Sequence, residues 1–120
     1  MSRAPGAVGA DAEALAAQYL AARGLTIVAR NVKSRFGEID LVARDGPTLV
    51  FVEVRLRRSS AFGGAAASIT PAKRARLVAA ARIYLARLRD EPPCRFDAVL
   101  FDALDPARAT WQRDVIDTSE

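Results

Sequence analysis

Two carboxylates, Asp40 and Glu53, stand at positions of the sequence where they could hold a divalent cation. The dipeptide Gly46-Pro47 between them is typical of a two-residue turn that joins two antiparallel strands. With that turn, Asp40 lies directly opposite Glu53, and two carboxylates in this arrangement repel each other. A Mg²⁺ ion, which proteins typically hold with one or two carboxylates, would turn the repulsion into a binding site. The pair therefore predicts metal-assisted chemistry on a phosphate group.

The predicted hairpin has one charged face and one apolar face. Alternation along the strands places on the charged face Glu38, Asp40, Glu53 and Arg55. The apolar face consists of Ile39, Leu41, Val50, Val52, Val54 and Leu56. Arg55 would lie beside the metal and contact a phosphate. Spacing alone also allows a second interpretation, a solvated face with an ion pair between Glu38 and Arg55 and with Asp40 near Arg57.

The elements that must position these residues follow from the periodicity of the apolar side chains. Helices are predicted over residues 11–23, capped by Asp11, and over residues 71–90, capped by Thr70. Strands are predicted over residues 25–31, 36–45, 48–57, 96–101 and 114–116. The second helix should bury Leu77, Ala81, Tyr84, Leu85 and Leu88. The order α-β-β-β-α-β-β predicts an α/β domain with a mixed central sheet flanked by helices, over residues 10–120, after a flexible tail of residues 1–9.

The composition limits the chemistry that these elements can carry. The chain has 120 residues, enough for one domain, and its 18 basic and 14 acidic residues give a net charge of +4. It has no histidine and one cysteine, Cys94, which excludes histidine-based triads, cysteine-based zinc sites and an internal disulfide. All basic residues except Lys33 and Lys73 are arginines, which suits phosphate contacts but also fits the base composition of a genome. No signal peptide or membrane span is evident, so a cytoplasmic protein without membrane contact is expected.

A series of short motifs, in a fixed order, covers roughly residues 9 to 102. The motifs are Gly9-x-x-x-Glu13-x-x-Ala16-x-x-Tyr19-Leu20-x-x-x-Gly24, Asn31, Gly37-Glu38-Ile39-Asp40-Leu41, Phe51-Val52-Glu53-Val54-Arg55-x-Arg57, Phe62-Gly63, Lys73 and Arg95-Phe96-Asp97. This ordered set resembles the YraN-like family of small bacterial proteins. The resemblance implies a restriction-endonuclease-like fold, distantly similar to archaeal Holliday junction resolvases, and a nuclease activity. It implies that Asp40 and Glu53 bind Mg²⁺ or Mn²⁺, and that the first helix brings Glu13 to them as a third acidic residue.

Glu13 and Arg55 each leave two interpretations open. Glu13 lies at the edge of the buried side of the first helix, where a carboxylate needs a partner, either a metal or the dipole of the helix itself. The nuclease motif implied by the resemblance usually ends in lysine, and Arg55 stands at that position. Arginine stays protonated, so it can hold a phosphate but cannot act as a general base. Lys33 and Lys73 are the only lysines that could take that role.

A group of basic residues flanks a loop around Phe62-Gly63-Gly64 and could neutralise backbone phosphates. The group consists of Arg55, Arg57, Arg58, Lys73, Arg74 and Arg76. A solvated basic surface is the alternative reading of the same residues.

The sequence as a whole favours a divalent-metal-dependent endonuclease acting on DNA, with branched or damaged structures as candidate substrates. In this hypothesis Asp40, Glu53, Arg55 and Glu13 are catalytic, and no organic cofactor is expected. The alternatives are a nucleic-acid-binding module of the same fold with impaired cleavage, and a small α/β protein-interaction domain. The preference between DNA and RNA, and the oligomeric state, including a homo-oligomer, stay open at this stage.

Overall fold

The predicted order of helices and strands is the order found in the computed structural model, which describes residues 5–56 and 70–116. The elements are α1 (Pro5–Ala22), β1 (Thr26–Ser34), β2 (Gly37–Asp45), β3 (Thr48–Leu56), α2 (Pro71–Ala86), β4 (Cys94–Phe101) and β5 (Ala109–Gln112). A short 3-10 turn, Pro106–Arg108, precedes β5. The prediction of an α/β fold with a mixed sheet is confirmed. Neither helix is long and apolar enough to cross a membrane within the described residues.

The five strands form one sheet in the order β1-β2-β3-β4-β5. Neighbouring strands are antiparallel except β3 and β4, which are parallel. Two parallel neighbours cannot be joined by a tight turn, and the connection between them contains α2. The predicted turn Gly46-Pro47 joins β2 to β3, with Gly46 at a φ of 59° as the first position of such a turn requires.

The helices cover opposite faces of the sheet. On one face, α1 packs through Ala12, Ala16, Ala17 and Leu20 on a set of strand residues, Leu41, Ala43, Val50, Val52, Val54, Val99 and Phe101. On the other face, α2 packs through Leu77, Ala80 and Ala81 on Ile39, Val42, Leu49, Phe51 and Phe96. Tyr84, Leu85 and Leu88 pack against this second cluster, which confirms the predicted buried side of the helix. Burial on both faces fixes the sheet between two layers of helix.

Several predicted boundaries were wrong. The first helix begins at Pro5 rather than at Asp11, so it includes part of the predicted tail; proline is favoured in a first helical turn because its φ is already helical. The second helix ends at Ala86, before Asp90. The last strand is Ala109–Gln112 instead of residues 114–116, and Asp114 has a left-handed φ of 55°, which lies outside the extended region of regular strands.

A buried carboxylate ties the last strands together. Asp97 on β4 has no exposed surface and accepts hydrogen bonds from Nε1 of Trp111 and from the backbone N–H of Asp114, both at 2.9 Å. Nε of Arg95 donates to it at 3.1 Å, and the same arginine pairs with Asp45 at 2.9 Å. A buried charge with this many donors is satisfied, so Asp97 stabilises the fold and is not a candidate ligand.

Candidate metal centre and cleft

The candidate site lies where β2 and β3 separate. The two strands pair in the predicted register from Asp45 opposite Thr48 to Leu41 opposite Val52, and their pairing ends there. Beyond this point β2 continues beside β1, and β3 continues beside β4. We call this place the fork.

Asp40 is the residue at the fork. Its side chain replaces the missing strand contact, because Oδ2 accepts a hydrogen bond from the backbone N–H of Val54 at 2.8 Å. The predicted strand pairing of Asp40 with Glu53 is therefore not made through the backbone. The carboxylate of Asp40 occupies the opening between the strands instead.

The fork also changes which face each β2 residue occupies. Leu41 packs in the α1 layer, but Ile39 packs in the α2 layer. The prediction that both residues lie on one apolar face was wrong. The regular alternation of side chains along β2 shifts at Asp40, where the pairing of β2 with β3 has ended. The predicted charged face of the hairpin is also partly buried, since Val42, Leu49 and Phe51 on that face pack under α2. The charged residues predicted for this face lie only at the end that is distant from the turn Gly46-Pro47.

Three carboxylates meet beside the fork. Oxygen atoms of Glu13, Glu38 and Asp40 all lie within 4.8 Å of one another, and we call these residues the acidic cluster. Helix α1 brings Glu13 to Asp40, as the resemblance implied. Glu38 is the residue that sequence reasoning missed: it was placed near Asp40, but as the partner of Arg55. The sequence contained a signal for this contact, because Glu38 stands two residues before Asp40 and side chains at this spacing on a strand lie on the same face.

Glu53 lies close by, on the side of α2. It is not a member of the acidic cluster, yet the charge of Asp40 acts on it. Arg55 forms an ion pair with Glu53, not with Glu38 as the solvated-face interpretation expected. Nε of Arg55 is buried without a hydrogen-bond partner among the described residues, so part of its donor capacity is unused.

The carboxyls of Glu13, Glu53 and Asp40 hold protons more tightly than isolated ones. Burial, followed by the charges of Asp40 and Glu38, raises the pKa of Glu13 to about 7. Burial and the charge of Asp40 likewise raise the pKa of Glu53 to about 7, although Arg55 and Lys73 oppose the shift. Burial also raises the pKa of Asp40, against the hydrogen bond from Val54. Crowded, desolvated carboxylates of this kind are typical of functional sites.

A cleft of about 190 Å³ opens next to these carboxyls. Its acidic lining residues are Glu38 and Glu53, and its basic lining residues are Arg55, Lys73 and Arg76. Glu38 therefore belongs both to the acidic cluster and to the cleft. The arrangement places oxygen ligands suited to Mg²⁺ or Mn²⁺ beside cations suited to phosphate.

The cap of α2 positions the basic wall of the cleft. The side-chain oxygen of Thr70 accepts a hydrogen bond from the backbone N–H of Lys73 at 3.3 Å, as the predicted cap requires. Lys73 and Arg76 are three residues apart and share one side of the helix. Arg74, predicted with them, is exposed and does not line the cleft. Arg57, Arg58 and the loop around Phe62-Gly63-Gly64 lie outside the described residues.

The geometry fits a hard divalent cation. The acidic cluster offers oxygen atoms from three side chains on two elements, which is the kind of ligand that Mg²⁺ and Mn²⁺ take. A cation would also offset the burial and the mutual repulsion that raise the pKa of Glu13 and Asp40. The predicted ligands Asp40 and Glu13 lie together, and Glu53 is a neighbour on the cleft side.

Comparison with other proteins gives a consistent assignment. The model of the uncharacterised protein family UPF0102 matches residues 12–101. A UPF0102 protein of Nitrosomonas europaea is 51% identical over 111 residues, which cover 92% of this chain and 94% of that protein. One from Methylobacillus flagellatus is 52% identical over 107 residues, with 89% and 94% covered, and one from Cupriavidus taiwanensis is 57% identical over 111 residues, with 91% and 82% covered. These matches confirm the YraN-like resemblance, and the chain belongs to the uncharacterised protein family UPF0102.

Proposed function

We propose that this protein is a divalent-metal-dependent endonuclease that hydrolyses phosphodiester bonds in DNA, with branched or damaged structures as its candidate substrates. The observation that carries the proposal is the acidic cluster of Glu13, Glu38 and Asp40 at the fork, beside a cleft that is lined by Glu53 and by three cations. Crowded carboxylates cost stability, and such a cost is typical of a site kept for function.

Each group has a distinct task in this proposal. Asp40 and Glu13 hold the metal with Glu38, and Glu53 completes or orients this set from the cleft side. A bound Mg²⁺ or Mn²⁺ would supply the Lewis acidity that activates water and stabilises negative charge on a phosphate. Arg55 holds the scissile phosphate, because a guanidinium can bind two phosphate oxygens at once. In that state Arg55 exchanges its ion pair with Glu53 for the phosphate.

Lys73 is the cleft residue best suited to the lysine role that Arg55 cannot fill. Its charge acts on Glu53 and it lines the cleft. A lysine carries a compact charge with three N–H donors on a flexible stem, so it can reach both a phosphate oxygen and a water beside it. We assign Lys73 to contact with the phosphate and its attacking water.

The experiment is cleavage of branched, single-stranded and duplex DNA with Mn²⁺. Wild type should cut, Glu53→Gln should lose most of the activity, and Arg55→Ala should lose it while Arg55→Lys keeps much of it. Glu91→Gln is a matched control, because Glu91 is exposed and outside the cleft. Each variant should also be checked for cooperative unfolding at a temperature no lower than that of wild type. Equal cleavage by wild type, Glu53→Gln and Arg55→Ala would indicate a contaminating nuclease and would end the enzyme proposal.

A second candidate function is a nucleic-acid-binding module of the same fold that cleaves poorly. Arg55 favours it, because this residue stands where the nuclease motif usually has lysine and pairs with Glu53. Faster cleavage by Arg55→Lys than by wild type would support this candidate. Binding of DNA without cleavage, by wild type and by every variant, would also support this candidate. The third reading, a protein-interaction domain, requires that DNA does not bind even at low salt with metal present.

A further inference from the structure

One exposed aromatic side chain at the cleft has no task in the reaction proposed above. Phe36 lines the cleft and keeps 38% of its surface exposed. Two other large hydrophobic residues of the described part are comparably exposed, Val28 and Leu104, and neither lines the cleft. Packing does not explain Phe36, since it belongs to neither of the two layers of core residues.

The position of Phe36 is fixed by its turn. Phe36 lies between β1 and β2, where Ser34 pairs with Gly37. Its backbone N–H donates to Oγ of Ser34 at 3.2 Å, and that hydroxyl donates to the carbonyl of Gly37 at 3.0 Å. Gly37 has a φ of 131°, which a residue with a side chain rarely adopts. The ring therefore stands on a defined backbone, and little conformational freedom is lost when a ligand packs on it.

The charges around Phe36 indicate the class of ligand. The guanidinium of Arg35 lies 4.9 Å from the centre of the ring. Across the cleft stand Arg55, Lys73 and Arg76. An aromatic ring next to several cations is the combination by which proteins bind single-stranded nucleic acids, with a base on the ring and phosphates on the cations.

We propose that Phe36 stacks on an unpaired nucleobase of the DNA whose phosphodiester occupies the cleft. This inference rests on the proposed function, because it requires DNA in the cleft. In an intact duplex each base is covered on both faces by its neighbours, so the ring of Phe36 cannot stack on it. A single strand, a flap or a junction has unpaired bases with an exposed face. The protein thereby selects DNA with unpaired nucleotides next to the phosphate that it binds.

The test compares binding of three fluorescent DNA probes to wild type and variants by anisotropy. The probes are a single strand, its blunt duplex, and a strand of the same length in which every nucleotide is abasic. Ca²⁺ replaces Mn²⁺, and the probes are checked for intact length afterwards. Phe36→Ala should weaken binding of the single strand by about 5- to 150-fold, the range given by loss of one base stack. Phe36→Trp should retain the affinity, and Val28→Ala, on the neighbouring strand β1, is the matched control.

The outcomes separate this inference from the proposed function. Binding of the duplex and of the abasic strand should be the same for wild type and Phe36→Ala, because neither presents a base to the ring. If Phe36→Ala binds the single strand as wild type does, or loses single strand and duplex equally, the stacking role is wrong while DNA binding stands. If wild type binds none of the probes, the proposed function itself fails. Phe36 is partly covered, so the melting temperatures of wild type and both Phe36 variants are measured alongside, and binding is compared at a temperature at which all three are folded.

Discussion

At the scale of single residues, Asp40 does two things that can be separated. Its Oδ2 accepts the N–H of Val54, which has no strand partner on β2, and its charge lies among those of Glu13 and Glu38. An asparagine can accept the same hydrogen bond but carries no charge. An alanine removes both.

We expect Asp40→Asn to melt above wild type by several degrees without metal, because one desolvated and repelled charge is gone. Asp40→Ala should instead melt below Asp40→Asn, since it leaves the N–H of Val54 unpaired at a cost of about 1–3 kcal/mol. Wild type should gain stability with Mn²⁺, as any ligand specific to the folded state requires, and Asp40→Asn should not. Thermal melts with and without Mn²⁺ measure all three effects. A full metal-induced shift in Asp40→Asn would place the metal elsewhere.

The raised pKa values of Glu13 and Glu53, about 7 against an ordinary 4.5, predict how stability depends on pH. Between these values the folded protein binds more protons than the unfolded chain, so metal-free stability falls as pH rises from about 4.5 to about 7. Glu53→Gln should weaken this fall, and its gain over wild type should grow with pH. The measurement is a series of metal-free melts from pH 4 to 8, with Glu91→Gln as control. A gain for Glu53→Gln that is largest at low pH would contradict the assignment.

At the scale of elements, the start of α2 determines the basic wall of the cleft. Thr70 caps the helix through the N–H of Lys73, and Pro71 follows at the first turn. The cap thus stabilises the first turn of α2, which carries Lys73. Loss of the cap should therefore affect both the stability of the fold and the position of Lys73 in the cleft.

We expect Thr70→Ala to lower stability by about 1 kcal/mol, the usual effect of losing a helix cap, whereas Thr70→Ser should be nearly neutral because it keeps the hydroxyl. Thr70→Ala should also weaken DNA binding, since the first turn that presents Lys73 becomes less ordered. Chemical denaturation and DNA titration of both variants test this. Loss of stability with unchanged DNA affinity would show that the wall does not depend on the cap.

At the scale of the whole molecule, the net charge is +4, from 18 basic and 14 acidic residues. Among the described residues, Arg55, Lys73 and Arg76 line the cleft beside the carboxylates. Phosphates bound by such cations release counterions from the DNA, so affinity should fall steeply with salt.

Lys73→Ala combined with Arg76→Ala should weaken binding of all DNA sequences about equally and reduce the slope of log affinity against log salt by about 1–2. We expect the same kind of change from Arg57→Ala with Arg58→Ala. Arg89→Ala is the control, because Arg89 is exposed and lies beyond the other end of α2. Affinity measured from low to moderate salt gives the slopes. An unchanged slope in the double variant of Lys73 and Arg76 would exclude the cleft as the DNA-binding surface.

Local features of the sequence were sufficient for the order of the elements and for the register of β2 with β3 up to Leu41. Gly46-Pro47 fixes the turn between β2 and β3, because its backbone requirements involve only neighbouring residues. Thr70 and Pro71 likewise mark the start of α2 through local hydrogen bonding. The family followed from the ordered motifs. Turns, helix caps and motifs depend on residues that are close in the sequence, so they can be predicted from it.

Tertiary structure alone decided how the candidate site is assembled. Strand periodicity continues the pairing of β2 with β3 past Leu41, whereas in the folded chain β1 and β4 draw the two strands apart at Asp40. That separation moves Ile39 to the α2 layer and directs Asp40 to the N–H of Val54. It also brings Glu38 into contact range of Glu13, a residue of another element. Which strands and helices β2 and β3 contact depends on residues that are distant in the sequence. The spacing of residues within one hairpin therefore cannot predict it.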